Sequence, residues 1–268
     1  MPSPDVLSGI PAQLWRLVAM ARHRLLMLDY DGTLAPFTVD RHAARPLPEA
    51  IASLRRIAAM PHTQVAIVTG RPIREVEELT GPLPALLVGE HGWEWRSPDG
   101  VLIQQALEPS VTTAIEAATR AARERGWSPF LERKRTAVVL HTRTLPPDTA
   151  REMEDRCVER WEHLASAARL TLDRIDGGVE LRARGRNKGT VVQSIHSRSA
   201  PGTLGVFLGD DVTDEDAFEA VRNWGFGIRV GADDRPSTAL GRLPACDAVP
   251  EFLEEWIRVT ELSPPGAA

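Results

Sequence analysis

Leu25-Leu26-Met27-Leu28-Asp29-Tyr30-Asp31-Gly32-Thr33-Leu34 is the stretch from which the rest of this chain is read. It opens as an apolar run too short for a membrane helix and ends in two carboxylates one residue apart, followed by glycine. Such a run predicts a buried parallel strand whose carboxyl end opens on a polar crevice, where open α/β sheets hold their ligands. Residues i and i+2 of extended chain point the same way, so Asp29 and Asp31 aim at one point. Converging carboxylates repel and need a cation or a shared proton. A hard divalent ion, Mg²⁺ above all, meets that need with oxygen ligands. Taken alone, Asp-x-Asp-Gly also fits plain turn chemistry at a strand end. The stretches around it separate the two readings.

Upstream, residues 12–22 carry Leu14, Trp15, Leu17 and Val18 at helical spacing. Downstream, Pro48 starts a helix with Ile51, Leu54, Ile57 and Ala58 on one face. Residues 64–69 form a second buried strand, ending in Thr69 before Gly70-Arg71. Pro72 opens a helix with Ile73, Val76 and Leu79 inward and Gly81 past its end. A third strand over 85–88 leads into Gly89-Glu90-His91-Gly92, and a hairpin of 93–96 with 101–105 turns through Ser97-Pro98-Asp99-Gly100.

Near Glu108 the alternation of strand and helix breaks. A helix through Val111, Ile115, Ala118 and Ala122 stops at Gly126; strands follow over 130–134 and 136–143. Pro147-Asp148 opens a helix with Met153, Cys157, Trp161 and Leu164 inward, and strands over 170–175 and 178–183 flank Asp176-Gly177. The order αββαββ marks an inserted α+β module. Glu132 and Lys134 share one side of their strand, while Glu180 and Arg182 lie opposite Val179 and Leu181. Two helices on one face of such a sheet leave the other as a polar lid. The β-α pattern resumes at Asn187-Lys188-Gly189, then runs through a strand over 203–208, the acidic stretch Gly209-Asp210-Asp211-Val212-Thr213-Asp214-Glu215-Asp216, a strand over 225–230 and a terminal helix through Trp256. From Ser263 a frayed tail is expected.

Three strands of one sheet thus end in Asp29/Asp31, Thr69 and Asp210/Asp211, and a helix start brings Lys188 to the same edge. Acids, a hydroxyl, an ammonium and an implied Mg²⁺ suit phosphoryl transfer. No G-x-x-x-x-G-K-[ST] loop is present to hold a nucleoside triphosphate, so a carboxylate is the candidate nucleophile, through an aspartyl-phosphate. The 268 residues are 43% hydrophobic, enough for one large domain or a core with a smaller one. A net charge of −5 argues against nucleic acid or an anionic membrane as main partner. No long apolar run or leader-like start is seen, which predicts a soluble cytoplasmic protein. Cys157 and Cys246 are far apart and read as incidental thiols. Of the 32 Lys and Arg residues only Lys134 and Lys188 are lysines, marking places where a compact ammonium serves and a planar fork does not.

Asp29-x-Asp31-Gly32-Thr33, Thr69-Gly70-Arg71, Asn187-Lys188-Gly189 and Gly209-Asp210-Asp211-x-x-Asp214 resemble, in order, the four motifs of the haloacid dehalogenase (HAD) phosphatases. Glu90-His91-Gly92, Glu132-Arg133-Lys134, His141-Thr142-Arg143 and Val179-Glu180-Leu181-Arg182 narrow the resemblance to the trehalose-6-phosphate phosphatase family, over nearly the whole chain. The resemblance implies a HAD-like Rossmannoid α/β core (1–107 and 185–268) with an inserted αββαββ cap of the C2 type (108–184), the active site lying at their interface. It implies Mg²⁺-dependent hydrolysis of trehalose 6-phosphate, with Asp29 as nucleophile, Asp31 as general acid and base, and Thr69 and Lys188 on the phosphoryl group. Asp29, the Asp31 carbonyl and Asp210 are the implied metal ligands, with Asp211 and Asp214 behind them. Gly70, Arg71, His91, Glu132, Lys134 and Glu180 are the implied substrate contacts, and a trehalose-6-phosphate synthase the implied partner. Other readings are a phosphatase for a sucrose- or glucosylglycerol-type ester, and a silent sugar-phosphate-binding domain that regulates a synthase. Two departures stand out: Thr142 where the family often has Tyr, and Thr69 where Ser is commoner.

Overall fold

The computed structural model describes residues 6–38, 41–175 and 177–262; Asp176 and the expected tail from Ser263 lie outside the described residues. The chain divides into two compact units. One runs up to Gln104 and resumes at Asn187, and the other is Gln105–Arg186.

The first unit contains α1 (Ala12–Met20), β1 (Arg24–Leu28), α2 (Pro48–Ala58), β2 (Thr63–Val68), α3 (Ile73–Thr80), β3 (Leu86–Gly89), β4 (Glu94–Arg96) and β5 (Leu102–Gln104). After the insertion come α6 (Lys188–His196), β10 (Leu204–Gly209), α7 (Glu215–Val221), β11 (Gly225–Val230), β12 (Gly241–Leu243) and α8 (Val249–Leu262). Its strands form one sheet in the order β12-β11-β10-β1-β2-β3-β4-β5, parallel except at β4 and β5. The opening apolar run is central because it is buried on both faces. Leu26 and Leu28 pack toward Leu14, Leu54 and Trp256, while Leu25 and Met27 pack toward Val192 and Phe218. Arg24 closes the other end of β1, its buried Nε donating to the Val18 carbonyl in the last turn of α1 at 2.7 Å. That turn has no basic residue of its own, and a cation there favours the helix terminus.

Register fixes where the site residues emerge. Leu28 lies opposite Ile67 on β2 and Leu208 on β10, so Asp29, Thr69 and Asp210 all leave the sheet at one carboxyl edge. The sequence reading missed β12, a three-residue edge strand with arginine at its centre, too short to show a hydrophobic period.

The second unit carries α4 (Pro109–Glu124), β6 (Leu131–Arg133), β7 (Ala137–His141), α5 (Pro147–Ala168), β8 (Leu170–Ile175) and β9 (Gly178–Ala183). Its antiparallel sheet has the order β6-β7-β9-β8. Ile115, Ala118, Cys157 and Trp161 of the two helices pack on Val138, Leu140, Val179 and Leu181. Pairing places Glu132, Val139, Glu180 and Asp173 in a row across the opposite face. Cys157 and Cys246 are both free thiols. Among the described residues no helix is long and apolar enough to cross a membrane.

Candidate active site

Asp29 sits one residue past β1, where its amide donates to the Leu208 carbonyl at 2.9 Å. Its carboxylate is buried and lies 2.9 Å from the Lys188 ammonium. Lys188 is the first residue of α6, held there by a capping box in which Asn187 and Thr190 exchange hydrogen bonds. Gly189 follows because a Cβ there would meet the Asp216 carbonyl oxygen of the neighbouring turn at 2.5 Å. Asp214 completes the arrangement. One of its oxygens accepts from Lys188 at 2.7 Å, and the other accepts the amides of Asp210 and Asp211 at 3.0 and 2.9 Å. Asp210 is oriented by the Thr33 hydroxyl at 3.3 Å and lies over Gly32, whose φ of 74° and missing Cβ leave it room.

Oxygens of Asp29, Asp210 and Asp214 lie within 4.8 Å of one another. Three carboxylates face one ammonium, so fully ionised the cluster carries an excess of two negative charges (three minus one) in a buried place. Burial, opposed by Lys188 and reinforced by the neighbouring carboxylates, pushes Asp29 well above the usual carboxylate range. Asp210 is pushed up to about 7, chiefly by burial and then by Asp214. Burial raises Asp214 too, with Lys188 pulling against it. Burial alone would lower Lys188, but Asp214 and Asp29 outweigh it and hold the ammonium protonated.

Asp31 does not join this cluster through its carboxylate. Both oxygens are gripped by Arg71, at 2.7 Å from Nε and 2.6 Å from Nη2, a fork-to-fork pair. Arg71 is buried, lies over the Tyr30 ring and sits 3.6 Å from Glu75. Burial alone would lower this guanidinium, and its bonds to Asp31 raise it instead. The Thr69 hydroxyl is buried and accepts the Arg71 amide at 3.2 Å. Beyond β3, Glu90, His91 and Gly92 all take positive φ (45°, 56° and 107°), a strained run that turns His91 back over the β2 end. A Cβ on Gly70 would lie 2.7 Å from His91 Nε2.

In the second unit the polar face of the sheet gathers a cluster of its own. Lys134 Nζ is 3.3 Å from Glu180 and 3.8 Å from Glu132, and His141 Nε2 is 2.8 Å from Glu132. Arg182 stands 3.7 Å from the other Glu180 oxygen and pairs with Asp173 at 3.0 Å.

The sequence model of the trehalose-phosphatase family matches residues 27–243. The chain belongs to the trehalose-phosphatase family. Trehalose-phosphate phosphatase of Mycolicibacterium paratuberculosis is 33% identical over 238 residues, covering 85% of this chain and 59% of that protein. The chain thus spans about three-fifths of that relative's length. Among solved structures, Aspergillus fumigatus trehalose-6-phosphate phosphatase superposes with a TM-score of 0.67 at 27% identity, covering 94% of this chain and 97% of that one. The C-terminal domain of Candida albicans trehalose-6-phosphate phosphatase reaches a TM-score of 0.79 over 93% and 96% of the two chains. Its 22% identity speaks to the fold alone. The fold is the HAD-like α/β core with inserted α+β module that the motifs imply.

For this member of the trehalose-phosphatase family, a divalent ion fits the residues present. The cluster's charge excess matches one such cation, and Gly32 leaves the cradle under Asp210 that a side chain would fill. With both oxygens of Asp214 committed to Lys188 and two amides, Asp29 and Asp210 are the carboxylates left to face an ion. The sequence reading put Asp214 in a supporting role without seeing that it clamps Lys188 directly. It left His141 out of the site residues and, naming Arg71 a substrate contact, did not see its fork onto Asp31. Each depends on side-chain direction at a chain bend or across strands, which spacing does not encode.

Proposed function

We propose that this chain hydrolyses trehalose 6-phosphate to trehalose and inorganic phosphate with Mg²⁺, through an aspartyl-phosphate on Asp29. The observation that carries the reading is a buried carboxylate held by one lysine within a cluster two charges too negative for itself. A doubly charged cation bound there would supply charge neutralisation for the transferred phosphoryl group. Asp29, the main-chain carbonyl of Asp31 and Asp210 are the residues to hold it.

An Asp29 oxygen attacks phosphorus, the bond to the sugar oxygen breaks, and that oxygen takes a proton from Asp31. Water then attacks phosphorus and gives its proton to Asp31, releasing phosphate and restoring the Asp29 carboxylate. Forked on Arg71, Asp31 is an ionised carboxylate, so it can serve as the acid only after leaving Arg71 and taking up a proton from solvent, which the water step later restores. The Arg71 grip therefore keeps the acid idle until a phosphoryl group competes for the guanidinium. Lys188 neutralises phosphoryl charge, and Thr69 offers a hydroxyl hydrogen. Sugar recognition falls to Glu132, Lys134 and Glu180, joined by His141, where carboxylates accept and the ammonium donates. A synthase making this ester is the partner the reading implies.

Phosphate release over a panel of disaccharide and monosaccharide phosphates tests it. Trehalose 6-phosphate should lead, chelator should stop turnover and Mg²⁺ restore it, and Asp29→Asn should be inactive while still folding cooperatively. Chelator-resistant turnover, or an active Asp29→Asn chain, would sink the mechanism. A different leading ester would change the substrate alone.

A further inference from the structure

Away from the acidic cluster, a cavity of about 300 Å³ lies beside the loop joining β11 to β12. Arg229, Arg235, Ser237 and Arg242 line it with Gly9 and Gly241, and no carboxylate does. Arg229 is only 1% exposed. Its Nη atoms donate to the Arg235 carbonyl and to Asp233, yet its buried Nε has no hydrogen-bond partner. A buried N–H left unpaired on a cation is costly, and it marks this guanidinium as incompletely satisfied by its own neighbours. The register pairs Arg229 with Arg242, so both side chains leave the same face of the β11–β12 ladder.

Nearby acids balance this charge only in part of its geometry. Asp233 sits on Arg229, Asp234 is 3.9 Å from Arg242, and Asp211 is 3.4 Å from Arg235. Arg242 gives one N–H to the Asp233 carbonyl at 2.7 Å. Each guanidinium presents five N–H donors, so three of them keep several for a guest. A planar carboxylate satisfies one fork well; a tetrahedral oxyanion presents oxygens to forks from several sides. We infer that this cavity is a second anion site, selective for a phosphate-class oxyanion, either free orthophosphate or the phosphate of a monoester. Arg235 ties it to the catalytic edge. Its Nη atoms also donate to the Asp210 carbonyl and to Asp211, so an anion that draws Arg235 into the cavity loosens the loop presenting Asp210. Occupancy should therefore slow turnover in a way that excess substrate does not relieve.

Binding does not rest on the phosphatase reading, and the test keeps the two apart. Isothermal titration of orthophosphate into the full chain with Mg²⁺ should show two sites. Arg242→Gln should weaken one of them by about tenfold, the loss of one charge-assisted contact, and leave the other alone. Ser237→Glu, which places a carboxylate in the cavity, should abolish the same site and serves if Arg242→Gln folds poorly. Competition by glucose 6-phosphate for that site would identify a monoester guest, and its failure orthophosphate. In kinetics, Arg242→Gln should keep basal turnover and lose the substrate-insensitive part of phosphate inhibition. Phosphate binding that survives undiminished in both variants, or no site that either variant weakens, would overturn the inference; a single site lost in both would support it and count against phosphate binding at the acidic cluster. Two sites in a chain that releases no phosphate from any ester would sink the proposed function and leave this site standing.

Discussion

Lys188 is one of two lysines among 32 basic Lys and Arg residues, and its ammonium lies 2.9 Å from Asp29 and 2.7 Å from Asp214. That space suits a single compact cation. A guanidinium is longer and planar, and its fork would reach both carboxylates at once and displace Asp210 from them. Lys188→Arg is expected to behave as a loss-of-function change, costing at least ~3 kcal/mol of transition-state stabilisation, the scale of removing a preorganised charge-stabilising donor. Arg151→Lys on the exposed surface of α5 is the silent control. Near-full turnover by Lys188→Arg would mean that the scarcity of lysine is coincidence. At this scale the sequence was informative about residue type and much less about direction. Asp29, Lys188 and Asp210 come together as motif order implied, because parallel register alone delivers them to one edge. The Asp31–Arg71 fork was not legible, since it depends on how the chain bends after β1.

At the scale of elements, two features carry expectations. The first is the loop after β3, which brings the His91 ring against Gly70. Gly70→Ala puts a methyl 2.7 Å from His91 Nε2, so ring and loop must shift. An overpacking cost of about 1–3 kcal/mol in stability is expected, together with a fall in kcat/KM; His91→Ala in the same chain should recover the stability and not the activity. Thermal melts and kinetics of the two variants check this, and a Gly70→Ala chain that melts normally would refute the contact. The second is the polar face of the α+β sheet. Glu180→Ala should lower kcat/KM for trehalose 6-phosphate by about tenfold or more through lost charge-assisted hydrogen bonds, while barely changing turnover of p-nitrophenyl phosphate. Equal losses on both esters would assign Glu180 to the fold. Its alternating strands were readable because side chains of period two declare their faces, as Glu180 and Leu181 do. β12 was not readable, because three residues around an arginine declare nothing.

For the whole molecule, the acidic cluster links metal, protons and stability. Asp210 titrates near 7 in the folded chain against 3.8 as its ordinary value. A carboxyl whose folded pKa is raised holds a proton that the unfolded chain has already lost. The metal-free fold is therefore favoured below that window and loses this contribution as pH rises through about 4 to about 7. A divalent ion reverses the sign, since it replaces the proton and binds best to the ionised carboxylates. The melting temperature in chelator should accordingly fall relative to that in Mg²⁺ as pH climbs from about 5 to about 8, the gap widening most near neutrality. Using the difference between the two conditions cancels the titration of groups far from the cluster. Asp210→Asn should flatten the gap, because an amide neither takes up a proton nor offers an anionic ligand, and it should leave the chelator curve less dependent on pH. A gap that stays constant with pH, or narrows, would show that no divalent cation binds the ionised cluster. The buried excess of two negative charges would then have to be balanced by protons alone, and catalysis at Asp29 would lose its reason to need a metal.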